Sequence, residues 1–228
     1  LTMYLTIVLI VFKCGLALYL GQKVMQKTRQ DEKFRVNFLF SVFVLVVGMA
    51  ISRALYFYYD FFLTKFDPNL LYHPDYVPYW RVATVITGYF GSIVLYVIDR
   101  DIYRLKLKRL PFILIIAVAT FQLLYPIRNA NDFNVVSAVG TFVSVIAIIV
   151  PITFLYLAFN SSGELRRTSL TFAIGITLFA IIGILMSEPV LLYFDENFGL
   201  RGLIIVFVPI GKIICLAFLG NAATKMQI

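Results

Sequence analysis

Six polar side chains stand inside otherwise apolar stretches and carry what chemistry this sequence offers: Ser52, Arg53 and Tyr56 in one stretch, Ser187 and Glu188 in a second, Lys212 in a third. A guanidinium is a planar set of donors suited to a carboxylate or phosphate, and a glutamate is its natural counter-charge. A lysine amine either holds an anion or, when desolvated, becomes neutral. Charges among apolar residues are costly and face a bundle interior, a cavity or one another. Two expectations follow. One is a polar site lined by Ser52, Arg53, Tyr56, Ser187, Glu188 and Lys212 that takes a small anionic ligand. The other is a structural Arg53–Glu188 ion pair that fixes helix packing.

These residues fall in a repeat. Residues 48–60, GMAISRALYFYYD, reappear in altered form at 183–195, GILMSEPVLLYFD. At a constant offset Gly48 meets Gly183, Ser52 meets Ser187, Tyr58 meets Tyr193 and Asp60 meets Asp195, while Arg53 falls opposite Glu188. The small-x-x-x-small pairs Gly48/Ser52 and Gly183/Ser187 each put two small residues on one helix face, where a neighbouring backbone approaches closely. Pro189 is expected to loosen its helix and free the Leu185 carbonyl. Lys13 and Lys212 are the deeper cations; Lys212 is ~16 Å along a helix from Arg201. Lys13 is expected to reach toward the surface along its apolar stem.

The elements that position these groups are membrane helices. Hydrophobic residues make up 61% of the 228 and charged ones 14%, too apolar for a soluble domain. The apolar residues come in seven blocks, about 1–22, 34–63, 80–98, 110–126, 134–159, 168–194 and 200–221. Most approach the ~20 residues needed to cross ~30 Å of hydrocarbon as helix. The expected fold is an all-α integral membrane protein: one domain, 1–228, forming a seven-transmembrane-helix bundle with a 3+1+3 parallel internal repeat. Repeat A covers about 1–98, the linker helix about 110–126 and repeat B about 134–221.

Lysine and arginine set an expected orientation. Lys23, Lys27, Arg29, Lys33 and Arg35 lie in loop one, Arg100, Arg104, Lys106, Lys108 and Arg109 in loop three, Arg166 and Arg167 in loop five. The even loops hold few cations and Asp67, Asp75, Asp132, Asp195 and Glu196. By the positive-inside rule the odd loops are cytoplasmic, the N-terminus outside and the C-terminus inside, in the cell membrane. The net charge of +8 is thereby assigned to loops facing lipid headgroups and not to nucleic acid. Loop two, with Tyr72, Tyr76, Tyr79 and Trp80, suits the membrane–water interface or a lid over an outward pocket; His73 would be its pH-sensitive element.

Cys14 and Cys215 lie in apolar segments and are expected to act as small buried hydrophobes, with no disulfide. One histidine leaves no metal site, no cofactor is expected, and phosphate-loop and hydrolase motifs are lacking, so an enzyme is not expected. The first apolar segment carries no A-x-A cleavage pattern, so a removed signal peptide is not expected.

Four resemblances bear on function. Lys212 in the last helix resembles the microbial rhodopsins, which implies retinal bound there as a Schiff base, although residues 81–98 contain no carboxylate for a counter-ion. Asp99-Arg100-Asp101 resembles the D-R-Y position of rhodopsin-like receptors; the alternative is interfacial charge balance, with Arg100, Arg104 and Lys108 on one face. Seven-helix input modules of sensor kinases are similar in architecture. The SWEET transporters are similar in their 3+1+3 repeats, without a Pro-Gln signature here. The expectation is a receptor or sensor that binds a small ligand in an outer-half cavity and signals to a cytoplasmic partner at loops one and three. The alternative is a small-solute, anion-carrying transporter lined by Lys13 and Lys212.

Overall fold

The computed structural model describes residues 1–185 and 188–226, without the side chains of Pro68, 188–192 and Arg201. It is all-helical among those residues: α1 (Thr2–Gln30), α2 (Phe38–Tyr58), α3 (Val77–Asp101), α4 (Leu110–Leu124), α5 (Ala130–Ala147), α6 (Ile149–Asn160), α7 (Gly163–Ile184), α8 (Glu188–Phe198) and α9 (Arg201–Lys225). Six stretches are long and apolar enough to cross a membrane: Thr2–Gln30, Phe38–Leu63, Val77–Asp101, Ala130–Asn160, Gly163–Ile184 and Gly202–Lys225. The chain is a multi-pass membrane protein on that ground. The apolar α4 has 15 residues, ~22 Å of helix, short of the hydrocarbon thickness.

The helices outrun the apolar blocks at several ends. α1 continues through Lys23, Lys27 and Arg29 to Gln30, because Lys, Met, Gln and Arg are good helix formers that sustain hydrogen bonding in water. α7 begins at Gly163, so Arg166 and Arg167 lie on a helix and not in a loop. The block 134–159 is interrupted at Ile148, between α5 and α6. The block 168–194 is two helices, and Pro189 is the second residue of α8. The expected loosening at Pro189 turns on residues 186–187, which lie outside the described residues.

The chain forms two compact units. One comprises residues 21–149, in which α2, α3, α4 and α5 pack each against the next. Gly48 is the close approach: a Cβ there would stand 2.4 Å from Phe90 Cδ2 of α3. At Gly48 the small face of α2 is thus filled by Phe90 of the adjacent helix. Gly140 of α5 makes room for the buried Gln122 of α4, whose Nε2 donates to the Val136 carbonyl at 3.2 Å. Arg81 of α3 donates to the Leu123 and Tyr125 carbonyls at 3.1 and 2.7 Å, capping the end of α4.

The other unit comprises residues 1–20 and 150–226, with α7 and α9 as its main antiparallel pair. Gly211 faces Ile182, Gly175 faces Phe218 and Leu219, and Gly220 admits Leu16 of α1. Phe154 of α6 and Phe172 of α7, both buried, meet with ring centroids 4.4 Å apart. Cys215 is buried as expected; Cys14 is exposed on α1, a correction to the paired burial expected of the two cysteines. Its side of the helix is apolar and unpacked within the protein, the surface a membrane helix turns to lipid.

Candidate functional site

The end of α2 is built around a π-helical turn, Tyr59–Leu63. Thr64, fully buried, donates both its N–H (2.9 Å) and its Oγ1 hydroxyl (3.1 Å) to the Tyr59 carbonyl, closing the i→i+5 ring. Such a turn adds a residue to the helical repeat and re-aims the side chains around it, here Asp60. Tyr59 is 1% exposed, and its hydroxyl donates to the Leu71 carbonyl at 2.5 Å, tying loop two onto the helix end. Tyr58 stacks on Phe62 and meets Tyr79, and Phe61 meets Phe66, so aromatic rings fill the junction.

Below that junction runs a polar strip. Ser52 is buried; Arg53, Tyr56 and Asp60 are half-buried. Positions i, i+3 and i+7 share one helix face, and the Arg53 guanidinium interacts electrostatically with both Asp60 and Tyr56. The Tyr56 hydroxyl lies 2.5 Å from Thr84 Oγ1 of α3. Thr84 gives its own proton to the Trp80 carbonyl at 2.9 Å, so Tyr56 is the donor of the pair. The tyrosine oxygen keeps its lone pairs for an incoming donor. The strip offers a guanidinium, a carboxylate and a phenolic oxygen together, a set that matches a small molecule bearing both an anionic group and a donor. Asp60 was marked by the sequence only as the match to Asp195; its spacing of seven from Arg53 was the signal for more.

Of the other sequence-predicted residues, Ser187 and the side chain of Glu188 lie outside the described residues, and with them the Arg53–Glu188 pair. Lys212 is half-buried on α9, in the unit that also holds Lys13. Lys13 is 5% exposed, so it does not snorkel into solvent as expected. His73 sits in loop two 3.8 Å from Asp75 and against the Tyr76 ring, exposed together with its aspartate. Among the described residues no group of three His, Cys, Asp or Glu comes together as a metal would require.

The Asp99-Arg100-Asp101 segment departs from the expected shared face of Arg100, Arg104 and Lys108. α3 ends at Asp101, so Arg100, Arg104 and Lys108 do not share a helix face. Asp99, 1% exposed, accepts the Leu107 N–H at 3.0 Å and the Arg109 N–H at 2.7 Å. It folds loop three back on the helix end. Within that loop Arg104, Leu105, Lys108 and Arg109 all adopt positive φ, 50–63°, a conformation costly for residues with a Cβ. Arg100 turns to Asp101 in a two-pronged pair, 2.6 and 2.8 Å, and donates to the Val36 carbonyl, joining the end of α3 to the start of α2. Comparison with protein-family models, with curated proteins and with solved structures returns no match.

Proposed function

We propose that this chain is a seven-crossing receptor or sensor that binds a small anionic or zwitterionic ligand in its outer half. Its N-terminus is then outside and its C-terminus cytoplasmic, α4 completes the seventh crossing, and the basic loops one and three meet a cytoplasmic signalling partner. The observation that carries this reading is the Arg53–Tyr56–Asp60 strip, which ends under a folded loop two and reaches α3 through Thr84. A ligand anion on Arg53 displaces its interaction with Asp60 and so bears on the π turn and on the contact to α3. Ser52 borders the strip. Binding or sensing, and not catalysis, is the proposed class.

The second reading, an anion transporter of the 3+1+3 type, is favoured by the burial of Lys13. A cation deep in a membrane helix suits an anion path better than a surface anchor does. One experiment separates the readings. Purified protein is melted in detergent with acetate, succinate, glutamate and glycine at millimolar concentration, as wild type, Arg53→Ala and Lys13→Ala. The receptor reading expects at least one compound to raise the wild-type Tm, and Arg53→Ala but not Lys13→Ala to abolish that rise. A rise that survives Arg53→Ala, or none for any compound, overturns it. Loss in Lys13→Ala alone supports the transporter.

A further inference from the structure

The α7–α9 pair carries a second feature, away from the strip. The two helices are close where Gly175 faces Phe218 and Leu219, then part toward the start of α7 and the end of α9. The wedge between them has a volume of about 530 Å³, within the range of small-molecule sites. Its lining changes along its length. Phe218, 45% exposed, forms the apolar inner part; Glu164, Arg167, Asn221 and Lys225 surround the mouth. Two cations against one anion leave the mouth net positive.

The hydrogen-bonding inventory narrows what fits. Thr168 and Thr171 also line the wedge, and each gives its hydroxyl proton to the carbonyl four residues back, at 2.8 Å. Their oxygens are therefore acceptors only. Among the described residues neither Arg167 nor Lys225 pairs with Glu164 or with another carboxylate. The donors Arg167 and Lys225 thus call for an anion. The acceptors Glu164, Thr168 and Thr171 call for a group with N–H or O–H to give. The apolar inner part, at the end of membrane-spanning helices, calls for hydrocarbon.

We propose that this wedge binds a phospholipid whose phosphodiester sits on Arg167 and Lys225 and whose primary ammonium meets Glu164 and the threonine oxygens, the chemistry of a phosphoethanolamine headgroup. A phosphocholine headgroup has the same charges but no N–H, so it satisfies the phosphate half of the site alone. The site is independent of which way the protein crosses the membrane.

The test is thermal stability of delipidated protein in dodecyl maltoside micelles, with phosphatidylethanolamine or phosphatidylcholine of the same acyl chains, read beside lipid adducts in native mass spectra. At lipid about 100 times its Kd the ethanolamine lipid is expected to raise Tm by roughly 5 °C or more. The choline lipid is expected to raise it less. Arg167→Ala with Lys225→Ala removes both shifts and the adducts, whereas Arg166→Ala keeps them. Glu164→Gln makes the two lipids equivalent. All these side chains are exposed, so folding is not at stake. Wild-type shifts in the Arg167/Lys225 double variant overturn the proposal. So does an equal shift from glycerophosphoethanolamine or inorganic phosphate, which would make the site one for a soluble phosphate.

Discussion

Replacing Asp99 by alanine is the sharpest test of how the loop-three end is held. The substitution removes two charge-assisted hydrogen bonds, of 3.0 and 2.7 Å, to the Leu107 and Arg109 amides. Such bonds contribute about 1.5–3 kcal/mol each; because both amides lie in a largely exposed loop where water replaces the carboxylate, the lower figure applies, about 3 kcal/mol for the pair. Against this stands the strain of Arg104, Leu105, Lys108 and Arg109, roughly 1 kcal/mol apiece, which the loop recovers once it lets go. Release is therefore local. The bundle melts within a few degrees of wild type, while amide exchange at Leu107 and Arg109 accelerates on the order of 100-fold, the factor that 3 kcal/mol represents. Asp99→Asn keeps one acceptor oxygen and loses about half of that protection. Hydrogen exchange with mass spectrometry resolves the segment 102–110. Unchanged exchange in Asp99→Ala refutes the reasoning, as does a global collapse of Tm with no local signal.

Two further outcomes follow from the other end of the same unit. Tyr59→Phe removes the hydroxyl that holds the Leu71 carbonyl, at a cost of about 1 kcal/mol, and is expected to lower Tm by roughly 2–4 °C and open loop two to limited proteolysis. An unchanged digest would show that aromatic packing alone fixes the loop. For orientation, Asp67→Cys and Lys27→Cys in a background lacking Cys14 and Cys215 are expected to differ in intact cells: an impermeant maleimide labels the first and not the second. Labelling of Lys27→Cys reverses the proposed topology.

The membrane class and most helix positions were legible because they depend on quantities that sum over a segment. About 20 apolar residues must cross as helix whatever their order, so 34–63 and 200–221 correspond to Phe38–Leu63 and Gly202–Lys225. Details that depend on a single contact were not legible. Asp99 reaches amides eight and ten residues on, and no side-chain pattern in IYRLKLKR announces that its backbone will turn left-handed four times. Uniformly apolar stretches also hide which face packs: the Gly48 side of α2 accepts Phe90, and nothing in its spacing distinguishes that neighbour from any other.

The repeat shows the same limit most plainly. Ser52, Tyr58 and Asp60 have counterparts in Ser187, Tyr193 and Asp195, and identical spacing invites identical structure. Between them the backbone chemistry differs, because Ala54 stands opposite Pro189. Alanine carries α2 on without a break to Tyr58, and the π turn that follows places Asp60 where it acts on Arg53. Proline has no N–H to give and its ring collides with the carbonyl four residues back, so it kinks or breaks a helix that runs through it. α7 covers Gly163–Ile184 and α8, which holds Pro189, covers Glu188–Phe198. Tyr193 and Asp195 then lie exposed within a short α8, whereas Asp60 is half-buried in a turn closed by Thr64. Matched side chains thus hang from unmatched backbones, and a site inferred for one copy does not transfer to the other by alignment alone.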